Sequence, residues 1–591
     1  MSDFNLVDEK WLTVTDSQCR PEEVSLSDLF LHAQDYSAVD GDNGLQTVAI
    51  LRLLLAVSIT LLYRYDENGE LSELKKPNEA LERWKNVYQK GCFPRKAVED
   101  YFRMWHERFW LFDESYPFFQ VPKSQVKITA IPVKKGKSGS GDTTGEAQFK
   151  ITGRRSGKAP TNVQDFDEVF DYTWVSGSKI SGIICESANK INAAAIRKGK
   201  WKSLMTPAEA ARWLVYQMSY ADCGSVGKGN DRNKAKKEKG IDDEGKPALI
   251  SLKSAEMTAA SRGCIVYANG HNLFETLMLN SCLVKDPLSK LSLYGSPSPS
   301  WEQDRELLNK IRRPVPDNLP ELFTQQSRRF ILHCMDDGYV DGAFGAMGDV
   351  WNDRSMEPMF IRYLDKKDGK VKNRRYTADT VAWQNCEYFL LNRDESGSCM
   401  LPGIVNWNYW VEDELDSDRF VTFNMADLEY GTMNSSVANT FFGSVSLNSK
   451  LCSDETSADE ILEVLNSIKT CAKKLFLFGQ ELAIAGGSDV KLSQAKVWAK
   501  RAESDYYNVI GTAFIRFITG ETDLKKVIDD EFKAALNTMD NFAEQNVTVE
   551  MMRGHQKESF GHAYGLCKGG ILKERKKMNE FLKSIDGGEE A

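Results

Sequence analysis

The sequence predicts an α+β protein, a large mixed α/β N-terminal domain over residues 1–447 followed by a C-terminal four-helix bundle over 448–591. Three observations predict it. The chain has 591 residues, 41% hydrophobic and 27% charged, a globular composition long enough for two or more cores. Up to about residue 447, helix-period stretches mix with short alternating runs and turn signals. From Ser457, paired with Glu460 as a cap, four long helical stretches follow with short connections, the later three over 493–518, 522–545 and 549–585. Short connections make neighbouring helices antiparallel.

In chain order, FNLVDEKWLTV (4–14) reads as the start of a strand, and 24–33 as a strand or helix start. Residues 45–62 read as a helix within the most apolar run, TVAILRLLLAVSITLLY, which is short and carries Arg52. A buried core helix fits it better than a membrane span. Helices follow at 78–89 and 95–109, where Tyr101, Met104, Trp105 and Phe109 recur at three- and four-residue steps as a core stripe. Pro117 and the packed aromatics of WLFDESYPFFQVP (110–122) mark a rigid turn into an extended segment. Residues 123–204 are the least regular, with GKSGSGDTTGE and ITGRRSGKAP as loop signals.

The stretch MTPAEAARWLVYQMSYADCGSVGKGN (205–230) joins a sharply started helix to a glycine-rich basic loop. Thr206 caps the helix, Pro207 suits its first turn and Glu209 completes a capping box. Ala210, Trp213, Leu214, Gln217 and Met218 then recur at helical spacing. Past Tyr220 come Gly224, Ser225, Val226, Gly227 and Lys228, where glycines let the backbone approach a partner closely. On their own these residues fit a solvated surface loop as well. Next, 264–268 is a strand, Asn269-Gly270 a turn, and Asn272 with Glu275 a capping box opening LFETLMLN. Residues 322–339 read as strand, Asp336-Asp337-Gly338 turn and strand. A basic loop occupies 362–375, and 420–446 gives strand, loop and strand with its tip at 431–435.

The formal net charge of −9 argues against a polyanion partner, but the distribution does not. Four windows, 123–158, 190–202, 224–240 and 362–375, together carry +21 and leave −30 on the rest. An acidic body with basic loops suits a protein that touches polyanion at chosen places, and equally one whose polar loops keep it soluble.

Enzyme signatures are missing. GSVGKGN lacks the spacing and hydroxyl of a P-loop, and GAFGAMGD (342–349) lacks its lysine. The twelve cysteines include no C-x-x-C, against a disulfide framework or zinc ribbon. His555, His562 and Cys567 could share a helix face, but read better as ordinary helix residues than as metal ligands. No metal or cofactor is expected. The N-terminus MSDFNLVDEK lacks signal-peptide character, so a cytoplasmic protein is expected. An enzyme built from residues without a motif, or a purely structural scaffold, stays open on these residues.

Taken in order, FNLVDEKWLTV, LRLLLAV (51–57), LFDESYPFFQVP (111–122), MTPAEAARW (205–213), RGCIVYANGHNLFETLMLN (262–280) and QSRRFIL (326–332) resemble the CasA family. These are the large subunits of the type I-E CRISPR surveillance complex Cascade. The resemblance covers roughly 4–122, 205–285, 320–363 and 420–445, and more loosely 493–518. It implies an α/β body followed by a four-helix bundle, without catalytic activity. It also implies a subunit that checks double-stranded target DNA for the protospacer-adjacent motif (PAM) from the minor groove, helps open the duplex for pairing with the guide RNA, and helps recruit a helicase-nuclease. The implied partners are that DNA, the helicase-nuclease, and the backbone, small and guide-end subunits of the crRNA-guided complex.

By the same resemblance, the minor-groove loop is Gly224 to Lys228, centred on Gly227. A groove about 6 Å wide admits a backbone without bulk. The wedge under the first base pair is Asn434, an amide shorter than the glutamine of many members, with Met433 beside it for apolar stacking. Lys366 or Lys367 of YLDKKDGK supplies the lysine that reaches the motif. The loop toward the guide-binding end matches 188–197, giving Asn192, Ile196 in place of the usual aromatic, Arg197 and the adjoining Lys198. The 124–160 insertion has no counterpart, and its basic charge suggests an added duplex contact.

Overall fold

The computed structural model describes residues 4–122, 130–132, 149–151, 173–181, 196–221, 239–241, 247–249, 258, 260–285, 292–303, 316–349, 356–377, 380–390, 400–412, 420–431, 437–488, 493–553 and 559–586. The chain divides into two compact units. The first is Met1–Thr380 with Pro402–Glu414 and Asn424–Gly443; the second is Val381–Leu401, Leu415–Phe423 and Ser444–Ala591.

The first unit is built around the helix Gly44–Arg64, started by Asn43, whose side chain accepts from the amides of Leu45 and Gln46. By length and composition this helix could cross a membrane, yet it is buried within the unit on nearly every side. Arg52 is tolerated there because Glu357 takes its guanidinium in a fork at 2.9 and 2.8 Å, with the Phe323 ring 4.5 Å away. The helices Pro207–Tyr220, Leu273–Asn280 and Leu319–Phe323 pack on it. An antiparallel sheet orders Pro21–Val24, Leu12–Asp16 and Tyr36–Asp40, with Leu12 opposite Val24 and Thr13 opposite Asp40.

The aromatic stripe comes out differently from the expectation. Tyr101 and Phe109 are buried, but Met104 is 62% exposed and Phe102 takes the inward place, packing on Phe30 and Phe109. The helix stops at Trp105, and a 3-10 turn, His106–Arg108, rotates the face. The 110–122 segment is rigid, as its proline and aromatics predict. Phe118 stacks on Phe119 and Phe109, and Gln120 donates to the Leu111 carbonyl while accepting from the Leu332 amide. Gln120 thereby fixes the segment to the strand Arg328–Cys334. That strand pairs with Val340–Met347 across the expected turn, where Gly338 has φ +86°, and Thr173–Ser176 adds on the far edge. Residues 319–323, read in part as strand, are helical because the Asn318 side chain caps the Glu321 amide and Pro320 sits in the first turn.

The capping box at 206 forms as predicted: the Thr206 hydroxyl accepts from the Glu209 amide and the Glu209 carboxylate from the Thr206 amide. We expect Thr206→Ala to cost about 1 kcal/mol, read as a lower urea midpoint with an unchanged slope. At 272 only half a box forms. Asn272 caps Glu275, but the Glu275 carboxylate turns to the His271 amide.

In the second unit the long helices are Glu455–Ala485, Ser493–Ile518, Leu524–Asn546 and Phe560–Asp586. The 455–485 and 524–546 helices each pack against both of the others. Asp454, not Ser457, caps the first, and Asp523 caps the third. Among the described residues, the stretch expected as one helix over 549–585 holds two, Val549–Arg553 and Phe560–Asp586. Gly479 allows close approach, since a Cβ there would lie 2.6 Å from the Trp498 carbonyl oxygen. The second unit also takes in the 3-10 segment Ala382–Phe389: Trp383 packs on Tyr507 and Phe514, and Lys469 meets Glu387 at 2.8 Å.

Candidate nucleic-acid interface

The expected site residues fall into two groups. Gly224, Ser225, Val226, Gly227 and Lys228, Met433 and Asn434, and Asn192 lie outside the described residues. Ile196, Arg197, Lys198, Lys366 and Lys367 lie within them. What the structure gives for the first group is the ground from which their segments depart.

The basic stretch at 362–375, expected as a loop, is a hairpin of Arg362–Asp365 and Lys370–Asn373, with Arg362 opposite Asn373. Asp365 and Gly369 make the turn: the Asp365 side chain accepts from the Lys367 amide and its carbonyl from the Gly369 amide, with Gly369 at φ +66°. The basic residues divide by role. Arg362 donates to the Glu357 carbonyl, Arg374 lies over the Tyr363 and Tyr376 rings, and Lys372 bridges Asp365 and Asp368 at 2.5 and 2.9 Å. Those hydrogen bonds raise the Lys372 pKa and hold both carboxyls below the usual range. Lys366, Lys367 and Lys370 are exposed and, among the described residues, make no ion pair. Three free ammonium groups at one hairpin tip suit a phosphate backbone.

Arg375, at the hairpin's base, reaches in two directions. It donates to the Ser261 carbonyl at 2.6 Å, and toward the strand Phe420–Tyr430 it donates to the Leu428 carbonyl and pairs with Asp427 at 3.1 Å. Asp427 is 1% exposed and also accepts from the amides of Tyr376 and Leu428. Burial pushes its carboxyl up, against the pull of Arg375 and those amides. At the end of the same strand, the Tyr430 hydroxyl donates to the carbonyls of Tyr220 and Ala221 at 3.0 and 3.1 Å.

Three segments singled out separately in the sequence thus have roots in one place. The glycine-rich stretch departs after Ala221, the expected wedge follows Tyr430, and the lysine hairpin closes at Arg375. None of the three ties was legible in the sequence, because each joins residues at least 50 apart. Asp427, an acid flanked by Ala426 and Leu428 inside a strand pattern, was the one local signal that something charged must be paired there.

The 196–203 segment is a separate surface. Ile196 is 77% exposed and Lys198 is exposed, but the Arg197 guanidinium is committed to Glu209 and to the Leu204 carbonyl. Arg197 therefore braces the 207–220 helix start. Trp201, 54% exposed beside Lys202 and 6.5 Å from the Tyr339 ring, is an aromatic that the sequence reading passed over. Among the described residues no group of three or more His, Cys, Asp or Glu is placed to hold a metal ion.

A family model described as CRISPR-associated protein Cse1 matches residues 5–545. A curated relative, the CRISPR-associated protein CasA/Cse1 of Thermus thermophilus, is 34% identical over 118 residues. That alignment covers 20% of this chain and 21% of the relative, so the chain matches about a fifth of that protein's length. Among solved structures, Cse1 from Acidimicrobium ferrooxidans superposes with a TM-score of 0.67 at 19% identity, covering 98% of this chain and 99% of the other. A chain of a CRISPR RNA-guided surveillance complex superposes with a TM-score of 0.61 at 15% identity, over 98% and 99% of the two chains. At such identities the superpositions establish the fold; the family model, running through nearly the whole chain, places this protein in the Cse1 (CasA) family of CRISPR-associated proteins.

Proposed function

We propose that this chain is the non-catalytic large subunit of a crRNA-guided type I-E Cascade complex acting in the cytoplasm. It recognises the PAM in double-stranded DNA from the minor groove, helps open the duplex for R-loop formation, and helps recruit the helicase-nuclease. Its other partners are the backbone, small and guide-end subunits, and it needs no cofactor. The observation that carries this reading is the common root of the three segments at Ala221, Tyr430 and Arg375. A groove reader, a strand-separating wedge and a phosphate-binding hairpin must act on adjacent parts of one duplex, and a shared root supports that. Further support comes from the family and from a chain of this fold in an RNA-guided surveillance complex.

In this reading Gly224 to Lys228 enter the groove, Met433 and Asn434 separate the first pair, and Lys366 and Lys367 bind beside the motif. Asn192, Ile196, Arg197 and Lys198 belong to the loop toward the guide-binding end, where Arg197 is committed to Glu209 and the Leu204 carbonyl. Each lysine–phosphate contact releases counterions and steepens the salt dependence of binding. Replacing Lys366 and Lys367 together by Ala should lower the slope of log K against log salt by about 2. Titration of the reconstituted complex with motif-bearing duplex at several salt concentrations reads this. An unchanged slope removes the hairpin from the interface.

A further inference from the structure

We propose that the hairpin of Arg362–Asp365 and Lys370–Asn373 distinguishes DNA from RNA through an apolar cross-strand pair, Leu364 and Val371, which lies against deoxyribose beside phosphates held by the tip lysines. This rests on the DNA-reading role proposed above and names the sugar chemistry that the same surface takes. Leu364 stands directly opposite Val371 in the hairpin register, as Arg362 stands opposite Asn373. Side chains alternate between the two faces of a strand, so these two rungs share one face. Tyr363 and Lys372 lie on the other, with Asp365 and Lys370.

The shared face is anchored at its inner rung and open at its outer one. Arg362 donates to the Glu357 carbonyl at 2.6 Å, and Asn373 donates to the Arg262 carbonyl at 3.3 Å. The backbone passes close beneath Asn373, since a Cβ on Gly263 would lie 2.9 Å from the Asn373 Cβ. The Leu364–Val371 rung stands about 7 Å farther out, two residues along each strand. Val371 is 52% exposed and Leu364 is half-buried.

What this pair faces is set by the charges around it. Lys372 holds both carboxylates of the hairpin, Asp365 at 2.5 Å and Asp368 at 2.9 Å, so the exposed Lys366, Lys367 and Lys370 give the tip its outward sign. A cationic tip draws a polyanion, and the apolar rung beside it fits the uncharged part of that polyanion. In duplex DNA this is the deoxyribose wall of the minor groove, where groove readers commonly place apolar side chains. A ribose there would press its 2′-hydroxyl on two hydrocarbon side chains and leave it without a partner. The pair therefore accepts deoxyribose and penalises ribose.

The test uses the complex reconstituted with guide RNA and measures its affinity for a motif-bearing duplex in three forms. One is all deoxy, one carries ribonucleotides through the motif in either strand, and one carries 2′-deoxy-2′-fluoro nucleotides at the same positions. The fluoro sugar keeps a ribose-like pucker without the hydroxyl, so it separates groove shape from the hydroxyl itself. The parent should bind the all-deoxy duplex about tenfold more tightly than at least one ribo duplex, the cost of one buried unpartnered hydroxyl. It should bind the matching fluoro duplex within about threefold of the all-deoxy one. Val371→Thr keeps the β-branched shape and supplies a hydroxyl that pairs with the 2′-OH, and should narrow the deoxy-to-ribo ratio to about threefold. Leu364→Thr is the second variant and should narrow it likewise. Equal parent affinity for deoxy and ribo duplexes, a fluoro duplex penalised as heavily as the ribo one, or a ratio unchanged in both variants overturns the sugar reading. A parent complex with no motif preference at all overturns instead the DNA-reading role beneath it.

Discussion

Gly227→Asp is expected to lower affinity for motif-bearing duplex by at least about 100-fold, because like charges brought together at an interface cost several kcal/mol. The substitution places a carboxylate where a bare backbone is expected to lie against the minor groove, whose potential is negative. It also adds bulk in a groove about 6 Å wide. Gly227→Ala separates the two causes. It adds one methyl without charge, so it should lose much less than the aspartate if electrostatics dominates, and nearly as much if close approach does. Filter binding or interferometry with the reconstituted complex reads both variants. Parent-like affinity in Gly227→Asp would remove this loop from the groove.

The second large effect lies in the bundle and concerns pH. Glu531 sits at 0% exposure on the 524–546 helix, its carboxyl accepting from Ser467 at 2.6 Å with the Cys471 thiol beside it. Facing it are Tyr506 from the 493–518 helix and Glu574 and Lys577 from the 560–586 helix. Burial raises its pKa from 4.5 to about 8; Glu574 adds to the rise, while the Ser467 and Cys471 hydrogen bonds and Lys577 oppose it. The folded state therefore binds a proton that the unfolded chain has already released. The resulting stability is fully present below about pH 4.5, declines as pH rises, and is gone above about pH 8. The total is on the order of 5 kcal/mol, from about 1.4 kcal/mol per pKa unit. Glu531→Gln keeps the shape and cannot ionise. It should flatten this pH dependence and stabilise the bundle by several kcal/mol at pH 9 relative to the parent. Denaturant melts at pH 6 and pH 9 measure it, and a parent whose stability is equal at both would contradict the assignment.

Local chemistry was readable in the sequence. The Thr206–Glu209 box, the Asp-Asp-Gly turn and the apolar 44–64 helix depend on residues within one turn or one run, and all three form. Boundaries slipped where two capping residues competed: Asp454 lies three before Ser457 and takes its amide, so the helix begins earlier. The aromatic stripe misled because the 95–105 helix ends before Phe109, and a 3-10 turn shifts the phase. The basic window at 362–375 was visible as charge, but only the fold divides it into free lysines at the tip and committed residues at the base. Arg375 joins residues 261, 375 and 427, and no local pattern carries such a link.

The central claim, that this chain gives the complex its choice of DNA, is tested most directly by binding across a library randomised beside a guide-matched target. The complex reconstituted with this chain should enrich a short motif, and the complex lacking it should enrich none. Identical enrichment with and without the chain would contradict the DNA-reading role and leave a structural scaffold in its place.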